Sequence, residues 1–186
     1  MILQTKRLLL RPWCVEDAED LYRLARDPRV GEPAGWMPHT DVEHSREILC
    51  TVLSHPTVWA VCQKDGRPIG NIHLDFGTPL RERDDECELG YWLGTPFWGQ
   101  GLMTEAARAL LRYAFDELHV HQVWSGYYDG NDKSRRVQQK LGFVRHHTDK
   151  IRISDVPEQT GTVHRTCLTR MAWEISETTK ETEETE

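Results

Sequence analysis

Residues 88–106 read ELGYWLGTPFWGQGLMTEA. The opening six form a strand pattern. Glu88, Gly90 and Trp92 fall on one face, and Leu89, Tyr91 and Leu93 on the other. A glycine-containing loop, Gly94 to Gly101, follows. From Leu102 the period changes. Met103, Ala106, Ala107, Leu110, Ala114 and Leu118 recur at helical spacing, and Glu105, Arg108, Arg112 and Asp116 take the opposite, solvated side. A strand that enters a helix through glycines exposes unpaired backbone N–H groups at the positive end of the helix dipole. An anion can approach them closely, so the loop reads as a site for phosphate or pyrophosphate.

That string alone leaves several readings open. A dinucleotide fingerprint needs a third glycine where Thr104 stands, and a P-loop needs a Gly-Lys-Ser/Thr that is absent here. The pyrophosphate of another carrier remains, coenzyme A being the commonest small-molecule case. So does a plain strand–helix turn that binds nothing.

Outward from this stretch the chain alternates in type. Toward the N-terminus, Thr5 to Trp13 reads as a strand, Val15 to Arg26 as an amphipathic helix and Gly31 to His39 as a loop. Thr40 with Glu43 reads as a capping box that opens a helix to Ser54. Thr57 to Gln63, Pro68 to Phe76 and Glu86 to Leu93 form a strand meander with an Asp65-Gly66 hairpin turn. Toward the C-terminus come a strand (Val120 to Tyr128), a helix (Asn131 to Leu141, ended by Gly142) and two strands (Phe143 to Thr148, Thr162 to Trp173). This order predicts an α/β fold of the α+β kind, a central mixed sheet flanked by about four helices. Residues 1–174 are expected to be one domain, and residues 175–186 an acidic, disordered tail.

Composition narrows the function classes. The chain has 186 residues, 28% of them charged, and a net charge of −7. The last ten residues carry −4 of this, which leaves −3 for the body. Such a body has no general attraction for nucleic acid or an anionic membrane, so neither is expected as a partner. No apolar run reaches the roughly 20 residues of a membrane span, and the start lacks a signal-peptide pattern, so the expected location is cytoplasmic. The five cysteines and the histidine pairs His119/His121 and His146/His147 have no zinc spacing, and no metal is expected.

A second motif follows the next strand. Asp129-Gly130-Asn131-Asp132-Lys133-Ser134 opens a helix that ends Lys140-Leu141-Gly142-Phe143. Together with TKRLLLRPW, the hairpin from Trp59 to Gly70 and ELGYWLGTPFWGQGLMTEA, it resembles the GCN5-related N-acetyltransferase (GNAT) superfamily. Within it the chain resembles the ribosomal-protein (RimJ/RimL-like) branch, over about residues 3–173. The family's acyl-CoA loop usually begins with Gln or Arg, where this chain has Trp98, and ends with Gly or Ala, where it has Met103. The helical tyrosine many members use as an acid is Gln138 here.

The resemblance implies an acetyl-CoA cosubstrate and direct transfer to a primary amine, on a small molecule or a protein N-terminus. It implies Glu88 as the base and Ser134 as the proton donor to the leaving thiolate. It also implies main-chain contacts to the pantetheine arm from Tyr91, Trp92 and Leu93, and a pyrophosphate over Gly99, Gln100, Gly101, Leu102, Met103 and Thr104. Asn131 would bond the arm, and Trp36 together with Glu88 would meet the acceptor. The competing reading is a CoA or acyl-CoA sensor that does not turn over. The β-rich C-terminal half offers strand edges to a homodimer.

Overall fold

The computed structural model describes residues 1–152 and 160–183. Its described strands form one eight-stranded sheet in the order β1-β2-β3-β4-β5-β6-β8-β7. These are β1 (Leu3–Gln4), β2 (Leu8–Arg11), β3 (Val58–Gln63), β4 (Pro68–Asp75), β5 (Glu86–Leu93), β6 (Gln122–Tyr128), β7 (Val144–Arg152) and β8 (Thr160–Thr169). Every neighbouring pair is antiparallel except β5 and β6, which run parallel for three rungs, from Glu86↔Gln122 to Glu88↔Trp124. A parallel pair needs a crossover, and α4 (Leu102–Asp116) supplies it.

Four helices lie where the sequence periodicity puts them: α1 (Ala18–Ala25), α3 (Val42–Thr51), α4 and α5 (Asp132–Leu141). α4 buries Met103, Ala106, Ala107, Leu110 and Ala114 against one face of the sheet, together with Leu111 and Phe115. On the other face α1 and α3 enclose a second cluster around Trp13, Leu21, Leu49, Ala60 and Cys62.

The structure departs from the sequence reading in five places. A short helix, α2 (Pro28–Gly31), and a 3-10 turn, Glu32–Ala34, replace the start of the expected loop. Proline is accepted at the first turn of a helix, and the Asp27 carboxylate caps this one through Arg29 N–H. α3 is capped by Asp41, which accepts from His44 N–H at 2.8 Å, rather than by Thr40. The strand expected over Thr5 to Trp13 is confined to β2, Leu8–Arg11, with the two-residue β1 before it.

The last strand stops at Thr169, and α6 (Arg170–Glu183) begins where a strand and then a disordered tail were expected. Trp173 stacks on Phe115 of α4 (centroids 5.6 Å apart), and Glu177 is ion-paired with Arg108 and Arg112. Those contacts, invisible in local composition, offset the cost of ordering a polar segment; residues 184–186 of the expected tail lie outside the described ones. The same contacts correct the reading of α4's polar side. Arg108 and Arg112 meet α6, Glu105 accepts from Thr5 and Arg7, and Leu118 lies beyond the helix end, partly exposed.

Candidate active site

Beyond Glu88 and Trp124 the two parallel strands part, and β6 continues paired only to β8. The wedge between them opens a cavity of about 620 Å³. The backbone of β5 faces it by alternation. Leu89 O accepts from Ser125 Oγ (2.9 Å) and Leu93 O from Trp98 Nε1 (2.6 Å), both on the β6 side. Gly94 N–H, by contrast, is bonded to Ile69 O beside β4. Odd-numbered residues of β5 therefore turn their N–H and C=O toward the wedge, and Tyr91 holds the middle position of that edge.

The glycine loop closes one end. Gly101 has φ +73°, a conformation that costs an ordinary L-residue strain, and as N-cap of α4 it brings no side chain to cap the helix. The first N–H groups of a 15-residue helix thus border the cavity at Leu102, Met103 and Thr104. Facing them is α5, where Lys133, Arg136 and Lys140 share one stripe, all at the cavity's edge. The Lys133 ammonium stands 4.1 Å from the centre of the Trp98 ring. Backbone donors, a helix dipole and three cations fit a ligand carrying several phosphates.

Glu88 lies on the opposite wall. Its Oε2 accepts from Thr78 Oγ1 (2.6 Å) and its Oε1 from Arg165 Nη1 (3.2 Å), while Arg165 Nε donates to Asp149 (3.0 Å). Arg165 holds the Asp149 carboxyl below its ordinary range. An ionised carboxylate offers about four acceptor positions, so Glu88 retains two.

His73 of β4 sits across from Gly90 of β5. A Cβ at Gly90 would come within 2.4 Å of the imidazole, so this glycine makes room for the ring. Trp13 Nε1 donates to Asn71 Oδ1 (2.8 Å), which turns the Asn71 amide N–H toward His73 Nδ1 (3.4 Å). An imidazole that accepts at Nδ1 carries its proton at Nε2. Burial pushes the His73 pKa below its ordinary value, against the pull of Asp75, so the ring is neutral near pH 7.

The predicted residues Trp36, Glu88, Tyr91, Trp92, Leu93, Gly99, Gly101, Leu102, Met103, Thr104, Asn131 and Ser134 all border this one cavity. Gln100 does not; its side chain turns back to Pro96 O (3.0 Å). Asn131 is largely committed elsewhere. Its Oδ1 caps α5 by accepting from Ser134 N–H, and its Nδ2 donates to Pro33 O (3.1 Å), leaving one amide hydrogen for a ligand. Trp36, just beyond the Glu32–Ala34 turn, packs edge-on against Trp92 (5.7 Å). Sequence reasoning missed Thr78, Arg165 and His73, which come from distant segments. The α5 stripe was legible as three cations at i, i+3 and i+7.

Comparison with known proteins finds related sequences and a related fold. The family model described as "Acetyltransferase (GNAT) domain" matches residues 7–144. YdaF of Bacillus subtilis (strain 168) is 39% identical over 80 residues, 43% of this chain and 42% of that protein. The [ribosomal protein uS5]-alanine N-acetyltransferase of Escherichia coli (strain K12) is 35% identical over 69 residues, 37% of this chain and 36% of that one. The chain thus spans well under half the length of both relatives. A crystal structure of a GNAT-family acetyltransferase from Bacillus anthracis superposes with a TM-score of 0.80 over 92% of this chain and 99% of that one. At 20% identity it speaks for the fold alone.

Proposed function

The chain belongs to the GNAT acetyltransferase family, an N-acetyltransferase family that uses acetyl-CoA, and from that premise we propose that it moves an acetyl group directly to a primary amine in a ternary complex. The observation that carries this reading is the wedge. One cavity is bordered by the phosphate-type loop, the β5 edge, Ser134 and Glu88.

When bound, acetyl-CoA supplies an activated thioester. In this reading the Tyr91 N–H and C=O pair with the amide of a threaded arm. The N–H groups of Leu102, Met103 and Thr104, with Lys133, Arg136 and Lys140, meet its phosphates. Glu88 accepts hydrogens from the acceptor's ammonium and takes one proton, directly or through water. At pH 7 freeing a lysine-like amine of its proton costs about 4.6 kcal/mol, and an α-amine about 1 kcal/mol, from their ordinary pKa values. The base is therefore needed most for side-chain amines.

The cavity's own residues favour direct transfer. None of the five cysteines borders it, and Ser134 Oγ meets Gln138 and Tyr91 rather than a His or carboxylate base that would activate it as a nucleophile. The acceptor is a small-molecule amine or a peptide N-terminus; the alanine N-acetyltransferase among the relatives makes the latter a natural first probe.

The test is a pair of substitutions. Glu88→Gln and Ser134→Ala are expected to cut turnover on a validated amine by about 10²-fold or more. Calorimetry should show acetyl-CoA affinity within about threefold of wild type. A wild-type protein that fails to bind millimolar acetyl-CoA sinks the reading, and full activity in both variants sinks the assigned roles.

A further inference from the structure

The hydrogen-bond network behind Ser134 can be counted donor by donor. Gln138, buried to 1% exposure, meets the Thr166 hydroxyl on Oε1 at 2.7 Å. Gly126 O can only accept, so the amide nitrogen must face it, and that fixes the amide. Nε2 donates to Gly126 O (2.9 Å) and to Ser134 Oγ (3.2 Å). The Tyr91 hydroxyl reaches in from β5, 3.0 Å from Ser134 Oγ and 3.2 Å from Ser134 O.

Two arrangements satisfy these distances. In one, Ser134 donates to Tyr91 while Tyr91 donates to Ser134 O. In the other, Tyr91 and Gln138 both donate to Ser134 Oγ. Both its lone pairs are then used, and its hydrogen must point elsewhere. Ser134 borders the cavity, so a ligand there can receive that hydrogen.

Resting on the acetyl-transfer reading above, the geometry points to Tyr91 as the proton source behind Ser134. Ser134 Oγ–H gives its proton to the departing thiolate and takes the phenolic proton of Tyr91. Two O–H bonds break, one S–H and one serine O–H form, and the negative charge ends on the Tyr91 oxygen, which water then reprotonates. Acidity supports the pairing. A thiol has a pKa of about 8.5, a phenol about 10 and water about 15.7, near which an aliphatic hydroxyl lies. Serine acting alone faces a roughly 10⁷-fold uphill step; relayed from a phenol the step is about 30-fold. Burial raises the Tyr91 pKa above its ordinary value, which steepens this step. Tyr91 acts through Ser134 and is a positioning residue.

The test needs no acceptor amine. CoA and acetyl-CoA are titrated calorimetrically from pH 6.5 to 9.5 into wild type, Ser134→Ala, Tyr91→Phe and a protein with 3-fluorotyrosine at position 91. Donation to sulfur favours the thiolate. In wild type, therefore, CoA should gain about tenfold in affinity relative to acetyl-CoA as pH rises. That gain should shrink to threefold or less in Tyr91→Phe and Ser134→Ala. It should be kept or enlarged with the more acidic fluorotyrosine. In turnover, Tyr91→Phe should lower kcat by tenfold or more with the KM for acetyl-CoA within threefold. The same pH dependence in wild type and Tyr91→Phe overturns the relay and leaves the transferase reading standing. Should the phenylalanine variant not fold, a fluorotyrosine protein that loses the gain overturns it instead. Wild type that binds no CoA overturns both.

Discussion

His39 shows what a single buried group contributes. Its Nδ1 meets Ser45 Oγ at 2.8 Å, and its ring lies 5.6 Å from Trp36 and 4.9 Å from His44. Burial, aided by His44, lowers its pKa to about 4. The folded state thus binds fewer protons than the unfolded state between about pH 6.5 and 4. Stability is complete above pH 6.5 and is lost as pH falls through that window, by up to roughly 3 kcal/mol. Denaturant melts at pH 7.5 and 5 should show this loss in wild type, and His39→Gln should flatten it; equal slopes would refute the assignment. At this scale the candidate site was only half legible. Glu88 stood out because the string ELGYW resembles the one that carries the base in the family. Its partner Arg165 is 77 residues away and did not, because an ion pair across strands leaves no local spacing to detect.

Elements repeat the lesson. The meander β3–β5 and helices α4 and α5 follow from period and turn chemistry, which are local. α6 does not. Cys167, Thr169, Met171 and Trp173 alternate as in a strand, yet Met171 is 70% exposed and Trp173 only 3%. Packing of Trp173 on α4 decides the matter, and no alternation pattern encodes it. For α5 the consequence is electrostatic. The paired substitution Lys133→Ala and Arg136→Ala should weaken acetyl-CoA binding about 5- to 30-fold at low salt, at about 0.5–1 kcal/mol per exposed contact. It should also flatten the salt dependence of the Kd. An unchanged Kd at 20 mM salt would place the phosphates elsewhere.

The whole molecule is two antiparallel half-sheets, β1–β5 and β6–β8, joined by three parallel rungs and a crossover helix. A strand order of this kind could be anticipated from the alternation of elements, since parallel neighbours need a helix between them. The divergence after Glu88 is implied by the family resemblance and not by the residues themselves, because nothing in β6 marks where its pairing to β5 ends. The separation also gives the halves unequal reasons to stay together. A ligand held by both walls works as a removable rivet, and its binding energy adds to the cohesion of the seam. Amide protons in β6 and β8 should then exchange more slowly as acetyl-CoA concentration rises, while those of β2 and β3, remote from the seam, keep their native rates. Uniform slowing across the sheet would mean the halves open as one unit. Selective slowing would make the seam a weak joint whose strength the cell's acyl-CoA level sets.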